Sequence, residues 1–299
     1  MPLDLIALGE TMIALAPPPG ASVRTAAHLL VDHAGAESNT CVGLARLGFR
    51  VAWVSRLGAD AAGDRILAAL AAEGPGSIDT QWVRRDPSRP TGLMIKEPDV
   101  GVRYYRSTSA ASEMSPDDLT NVPVADARAA LVTGVTALIG PRPHAAGLAL
   151  LTAARGLRIV DPNLRHGLWG SDRRAELVLP FVENSDLLLT GAQELGELIG
   201  GGDAEAMARR AAGRGPREVV VRDAATIGAL AEGVWRTLDI RRDGAVDPIG
   251  AGDAFNAGYI AVRLRGGSVE DALGNGARCG AAVTTAMSDT AAFPRTTAP

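Results

Sequence analysis

The stretch "DPIGAGDAFNAGYIAVRL", Asp247 to Leu264, sets a nearly bare backbone, Gly250-Ala251-Gly252, directly ahead of one carboxylate, Asp253. A helical pattern follows at once. Phe255, Tyr259 and Val262 fall at steps of four and three, and Ile260 and Leu264 widen the apolar face. A helix start leaves its first N–H groups without intrahelical partners and carries the positive end of the dipole, so it favours an anion. Glycines let the anion's oxygens come close to the backbone. An Asp at a helix start is also an ordinary N-cap, and for an isolated G-x-G-D that simpler reading prevails. The longer string tips the balance toward an anion site. An acidic residue beside an anion is repulsive unless it has a task, and taking a proton from a hydroxyl that attacks phosphorus is such a task.

Around this turn the chain alternates short apolar runs with Ala-rich helical stretches. Leu5–Gly9, Val51–Gly58, Ala130–Gly134, Leu157–Asn163, Asp186–Gly191 and Glu218–Asp223 read as buried strands. The stretches "ESNTCVGLARLG", "AGDRILAALAAEG", "HAAGLALLTAARG" and "AEAMARRAAGRG" between them end in Gly, a helix-stop signal. Such alternation predicts a mainly parallel sheet with helices on both faces. Two segments break the rhythm. Residues 11–33 and 81–109, with patterns such as "GLMIKE" and "VRYYRS", read as strands exposed on one face. They are expected to form a small β-layer that covers the sheet's edge as a lid, while 1–10, 34–80 and 110–299 form the core. The simpler alternative is a pair of surface hairpins.

Bulk properties exclude several classes. The chain has 299 residues, 21% of them charged, with a formal net charge of -4. That balance gives no reason to expect nucleic acid or an anionic membrane as partner. Two cysteines, Cys41 and Cys279, offer neither a disulfide framework nor metal spacing, and the N-terminus lacks a signal-peptide pattern, so a cytoplasmic protein is expected. No apolar run approaches the length of a membrane span. Lys96, the one lysine, follows Ile95, so there is no Gly-Lys-Ser/Thr phosphate loop. Leu5–Gly9 leads into Glu10-Thr11 rather than a dinucleotide-binding glycine pattern. His28, His33, His144 and His166 form no metal motif.

"DPIGAGD" matches in full the D-x-x-G-A-G-D signature of the ribokinase-like (PfkB) sugar kinases, and the resemblance spreads over nearly the whole chain. "GAESNTCVGLARLG" (Gly35–Gly48) resembles that family's N-terminal sugar-binding segment, and "GNGARCGAAVTTAMSD" its helix near the adenine. "GAESN", "YYRSTSAASEMSPDDL" (Tyr104–Leu119) and "DPNLRHGLW" (Asp161–Trp169) are similar to the 2-keto-3-deoxygluconate kinases within it. The resemblance implies a three-layer α/β/α ribokinase-like core with a small β-sheet lid. It implies that Gly35, Asn39, Tyr104, Arg106 and Arg165 line a sugar-acid pocket. Arg suits an acidic sugar, since its fork grips a carboxylate bidentately.

The reaction so implied transfers a phosphoryl group from ATP to the terminal (C6) hydroxyl of 2-keto-3-deoxygluconate or a related keto-deoxy acid. Asp253 would be the general base, and the amides of Gly250, Ala251 and Gly252 the anion hole. Arg222, Gly228, Gly250, Gly252 and Asn275 would bind nucleotide, and Glu194 would place Mg²⁺ through water. A monovalent cation is left open, and a homo-oligomer, dimer or larger, is expected. Three departures from the family pattern stand out. Gly191 replaces an Asn ahead of Glu194, "DAATIG" keeps only Gly228 of a Gly-rich turn, and Met94 replaces a Tyr. A fructokinase or another sugar kinase of this family is the alternative, followed by a non-catalytic sugar-binding homologue.

Overall fold

The computed structural model describes residues 2–97, 101–165, 168, 171–240, 249–285 and 288–295. Asp247, Pro248, His166 and Trp169, singled out above, lie outside the described residues. The chain opens with β1 (Leu5–Leu8), β2 (Met12–Ala16), β3 (Leu30–Ala34), α1 (Ala36–Arg46), β4 (Arg50–Gly58) and α2 (Ala61–Ala71). There follow β5 (Ser77–Asp79), β6 (Val83–Asp86), β7 (Leu93–Glu97), β8 (Gly101–Tyr105), β9 (Ala129–Thr133), α3 (Gly134–Ile139) and α4 (Pro141–Ala153). Then come β10 (Leu157–Asp161), α5 (Arg174–Glu183), β11 (Leu187–Gly191), α6 (Ala192–Ile199), α7 (Ala204–Ala212) and β12 (Glu218–Arg222). The last elements are β13 (Thr226–Ala231), β14 (Val234–Asp239), α8 (Ala251–Leu264) and α9 (Val269–Val283).

All six apolar runs are strands of one sheet, ordered β14-β13-β12-β11-β10-β9-β1-β4-β5, with β6 also paired to β4. Pairing is parallel from β12 through β5, and antiparallel only in β12–β13–β14. Such strands are apolar throughout because both faces are covered. In β1, Leu5 and Ala7 enter one core while Ile6 and Leu8 enter the other, and all four are fully buried. The first core is completed by α1, α2, α8 and α9, through residues such as Leu44, Ile66, Phe255 and Leu273. The second is completed by α3 to α7, through Leu138, Leu150, Phe181, Leu195 and Met207. The three-layer α/β/α arrangement follows.

A separate four-stranded sheet runs β3-β2-β7-β8. Its apolar face gathers Met12, Ala14, Ala34 and Met94, with Val102 and Tyr104 packed against them. Two local expectations need correction. Val83–Asp86 does not join this small sheet but pairs in parallel with Ser55–Gly58. Trp82 packs into the second core and Arg85 bonds Gly58 O and Asp64, which draws the segment to the main sheet. "DAATIG" is less a turn than the start of a hairpin, since Thr226–Ala231 pairs with both β12 and β14.

The parallel strands end on one edge. The residues at or just beyond their carboxyl ends, Glu10, Asp161, Glu194 and Arg222, therefore share one crevice, where open α/β sheets present their ligand sites. Among the described residues no helix is long and apolar enough to cross a membrane.

Candidate active site

Gly250 is the N-cap of α8 and holds a left-handed conformation, φ +84°. A Cβ there would also stand 2.8 Å from the Asp289 carbonyl oxygen, so glycine is required twice over. The first intrahelical bond runs from Ala254 N to Gly250 O at 2.9 Å, which places the amides of Ala251, Gly252 and Asp253 before the helical ladder. A Cβ on Gly252 would meet nothing nearer than the Arg222 guanidinium at 3.8 Å. Packing does not demand glycine at this position, and the bare backbone leaves open space beside a cation.

Asp253 is 8% exposed, and its Oδ2 accepts from Asn39 Nδ2 at 2.8 Å. Burial pushes its carboxyl well above the ordinary aspartate range; the nearby charges of Asp161 and Asp289 add to the rise, while the Asn39 bond and Arg165 oppose it. Asn39 comes from the first turns of α1, whose N-cap is Gly35. A Cβ on Gly35 would lie 2.3 Å from Glu10 O, so only glycine lets α1 start this close to the end of β1.

A cavity of about 330 Å³ joins these groups to the small sheet. Met12, Met94, Val102 and Tyr104 form its apolar side. Across from them lie Asn39, Asn163, Arg165 and Asp253. The Oδ1 atoms of Asn39 and Asn163 are buried and, among the described residues, accept no hydrogen bond. Buried polar atoms left so are costly, and two ligand hydroxyls, each donating its one proton, would satisfy them. The volume suits a small polar ligand.

The arginines differ sharply in their surroundings. Arg106 Nε donates to Glu10 Oε2 at 2.6 Å, and Ser109 Oγ donates to Glu10 Oε1 at 2.6 Å. The Arg106 charge is therefore compensated by a carboxylate that the sequence reading did not assign to the site. Arg222 bonds Asp161 Oδ2 at 3.2 Å, and Asn256 Nδ2 donates to the same oxygen at 2.6 Å. Arg165 donates to the neighbouring Leu164 O at 3.0 Å, and among the described residues it pairs with no carboxylate.

Glu194 is anchored rather than free. Its Oε1 accepts from Leu164 N at 2.9 Å and its Oε2 from Gly191 N at 3.0 Å, which fixes the loop that carries Arg165. Burial raises its carboxyl above the usual range, with the Asp161 charge next in effect. Each Glu194 oxygen keeps a lone pair, as does Asp161 Oδ1, which among the described residues accepts only from Asn163 N, so these atoms fit a divalent ion carried by a nucleotide and held through water. Among the described residues no cluster of three or more His, Cys, Asp or Glu forms a metal cage of protein ligands alone. A second cavity shares Arg165, Glu194 and Arg222 with the first and continues along Gly191, Asp223 and Ala224.

Two residues expected to touch nucleotide, Gly228 and Asn275, line neither of these cavities. Gly228 is buried inside β13, where a Cβ would stand 2.0 Å from the Trp235 indole. Asn275 sits on α9 and donates to Gly258 O at 2.7 Å, joining two helices. Glu10, Asp161, Asn163 and Asp289 line the cavity unforeseen. The signal for the first two was their place at the carboxyl end of buried strands.

Over residues 3–296 the chain matches the family described as pfkB family carbohydrate kinase. It is 33% identical to the 2-dehydro-3-deoxygalactonokinase of Haloferax volcanii, over 97% of this chain and 94% of that one. To the 2-dehydro-3-deoxygluconokinase of Bacillus subtilis it is 31% identical, over 98% of this chain and 93% of the relative. Among solved structures, a putative ribokinase II from E. coli in complex with ATP and Mg²⁺ superposes with a TM-score of 0.90 at 20% identity, covering 98% and 96% of the two chains.

Proposed function

Because the chain belongs to the pfkB family of carbohydrate kinases, we propose that it moves the γ-phosphoryl group of ATP to the C6 hydroxyl of 2-keto-3-deoxygluconate (2-dehydro-3-deoxygluconate) or a close keto-deoxy sugar acid. The observation that carries the substrate class is Arg165, a cation that among the described residues forms no ion pair with a carboxylate, in a cavity shared with Asp253. A sugar acid supplies the missing carboxylate. The names of the Haloferax and Bacillus relatives support the same class.

In this reading Asp253 takes the proton of the terminal hydroxyl as its oxygen attacks phosphorus and ADP leaves. Its raised proton affinity brings it nearer to that task than an exposed aspartate would be. The amides of Ala251, Gly252 and Asp253 bear on the charge of the phosphoryl group in flight. Asn39 orients Asp253 through Nδ2, and its unpartnered Oδ1 is left for a sugar hydroxyl. Arg106 and Glu10, as a neutral pair, suit hydroxyls better than the carboxylate. Glu194 and Asp161 would hold a Mg²⁺ ion through water, and that ion would supply the charge that neutralises the nucleotide's phosphates. The small sheet acts as a lid that excludes water from the transfer.

The compensation of Arg106 by Glu10 also favours, as a second reading, a neutral ketose. ADP release measured with 2-keto-3-deoxygluconate, 2-keto-3-deoxygalactonate, fructose and ribose decides between them. The highest kcat/KM is expected on a keto-deoxy acid. A highest value on fructose overturns the substrate class, and no ADP with any sugar overturns the kinase reading.

A further inference from the structure

β10 ends at Asp161, and side chains build the turn that follows it. Asp161 Oδ1 accepts from Asn163 N at 3.0 Å, and Asn163 takes a left-handed conformation, φ +37°, which asparagine tolerates better than most residues. Leu164 then drops its side chain into the second core. Its amide lies past the end of the strand, and the partner it finds is a side chain, Glu194 Oε1 at 2.9 Å. On the other side of the same residue, Arg165 Nη1 donates to Leu164 O at 3.0 Å. The backbone of Leu164 is thus held between Glu194 and the arginine that follows it. The other oxygen of Glu194 accepts from Gly191 N, the N-cap of α6, so one carboxylate ties this turn to the start of a helix. Arg165 and Glu194 line both cavities.

We propose that Glu194 is a positioning residue for the ligand's carboxylate: through Leu164 N it fixes where Arg165 presents its guanidinium, and so sets the preference for a sugar acid over a neutral ligand of the same shape. An arginine grips a carboxylate through a planar fork, and that grip depends on where the side chain is rooted. A displacement of about 1 Å is enough to cost much of such an interaction. This role is separate from the place of Glu194 beside a nucleotide's ion, and it needs no ion. It rests on the reading of Arg165 as the partner of the ligand's carboxylate.

The chain itself supplies the design of the decisive variant. In the short helical turn Pro116–Leu119, Asp118 stands at the third position, as Glu194 does in α6, and accepts from the N-cap amide of Ser115 at 2.8 Å. An aspartate at 194 therefore keeps the bond to Gly191 N, and with one methylene fewer it cannot also span to Leu164 N. It also keeps the negative charge. That matters because the charges of Glu194 and Arg165 act on each other, and a neutral residue at 194 would change the ligand's electrostatics as well as the tether.

The test is calorimetric binding of 2-keto-3-deoxygluconate and of its carboxamide to the 299-residue chain, in EDTA and without nucleotide. Wild type is expected to bind the acid about 10- to 100-fold more tightly than the amide. Glu194→Asp should narrow that preference about 10-fold, by weakening the acid alone, with the melting temperature showing that the fold is kept. Arg165→Met should abolish the preference, and Glu194→Asp/Arg165→Met should lose no more than Arg165→Met does, because the two residues act as one unit. An unmoved preference in Glu194→Asp overturns the proposal. So does an equal loss for acid and amide, which marks a general disturbance of the cavity, and so does full additivity in the double variant. A preference that survives in Arg165→Met ends the reading of Arg165 itself, and the role of Glu194 falls with it. Loss in Arg165→Met beside wild-type behaviour in Glu194→Asp ends the role of Glu194 alone.

Discussion

Asp253 is held where an ionised carboxylate is poorly solvated and other carboxylates stand near, so its folded-state pKa is raised. A carboxyl with a raised folded pKa lends stability below its unfolded pKa and loses it as pH rises through the folded value. Asp253→Asn is therefore expected to have a higher Tm than wild type near pH 8, with the gap closing toward pH 4. Each kcal/mol corresponds to about 2–4 °C for a chain of this size. The same variant should lose about 10³-fold in kcat. The two arginines should separate in a different way. Arg165→Ala is expected to raise KM for the sugar acid about 10- to 100-fold with little change in urea stability, as fits a lost charged hydrogen bond. Arg106→Ala leaves Glu10 buried and unpaired, and should cost about 3 kcal/mol of stability by urea denaturation. Asn39, Arg165 and Asp253 were legible in the sequence because each lies in a local motif. Glu10 and Asp289 were not, because their partners are 96 and 193 residues away and only the fold brings them together.

The elements that frame the site depend on close approaches that only glycine permits. Gly134 opens α3, and a Cβ there would stand 2.0 Å from the Pro162 carbonyl oxygen, in the loop that leads to Asn163 and Arg165. Backbone cannot yield as a side-chain tip can. Gly134→Ala is expected to cost about 1–3 kcal/mol and to raise KM for the sugar by displacing that loop. Gly274, within α9, has nothing within 4 Å of its added Cβ, so Gly274→Ala should gain about 0.5–1 kcal/mol. Urea denaturation and sugar KM on both variants check the contrast. Strand identity at this scale was readable where both faces are apolar, as in β1, β9 and β11. It failed at β13, where the polar "DAAT" lead-in hid a strand whose Gly228 makes room for Trp235. It failed again at β6, whose pairing is decided by the side chains of Trp82 and Arg85 reaching the main sheet.

For the molecule as a whole, the alternation of strand and helix was enough to foresee a parallel sheet between two helical layers, and the one-sided patterns foresaw a second sheet. What sequence could not supply is the compensation of charge across the cavity, where Glu10 answers Arg106, Asp161 answers Arg222 and Asp289 answers Lys96. Among the described residues that balance leaves Arg165 without an ion-paired carboxylate and leaves Asp253 costly to ionise. The acid limb of kcat/KM should accordingly fall above the ordinary aspartate value of about 4, with activity lost as pH drops through it. The most direct measurement incubates the 299-residue chain with Mg·ATP and 2-keto-3-deoxygluconate, follows ADP, and locates the phosphate on the product by NMR, for wild type and Asp253→Asn. Phosphate on C6, formed about 10³-fold more slowly by the variant, is the expected result. Equal rates for the two proteins, or phosphate on any other carbon, would contradict it.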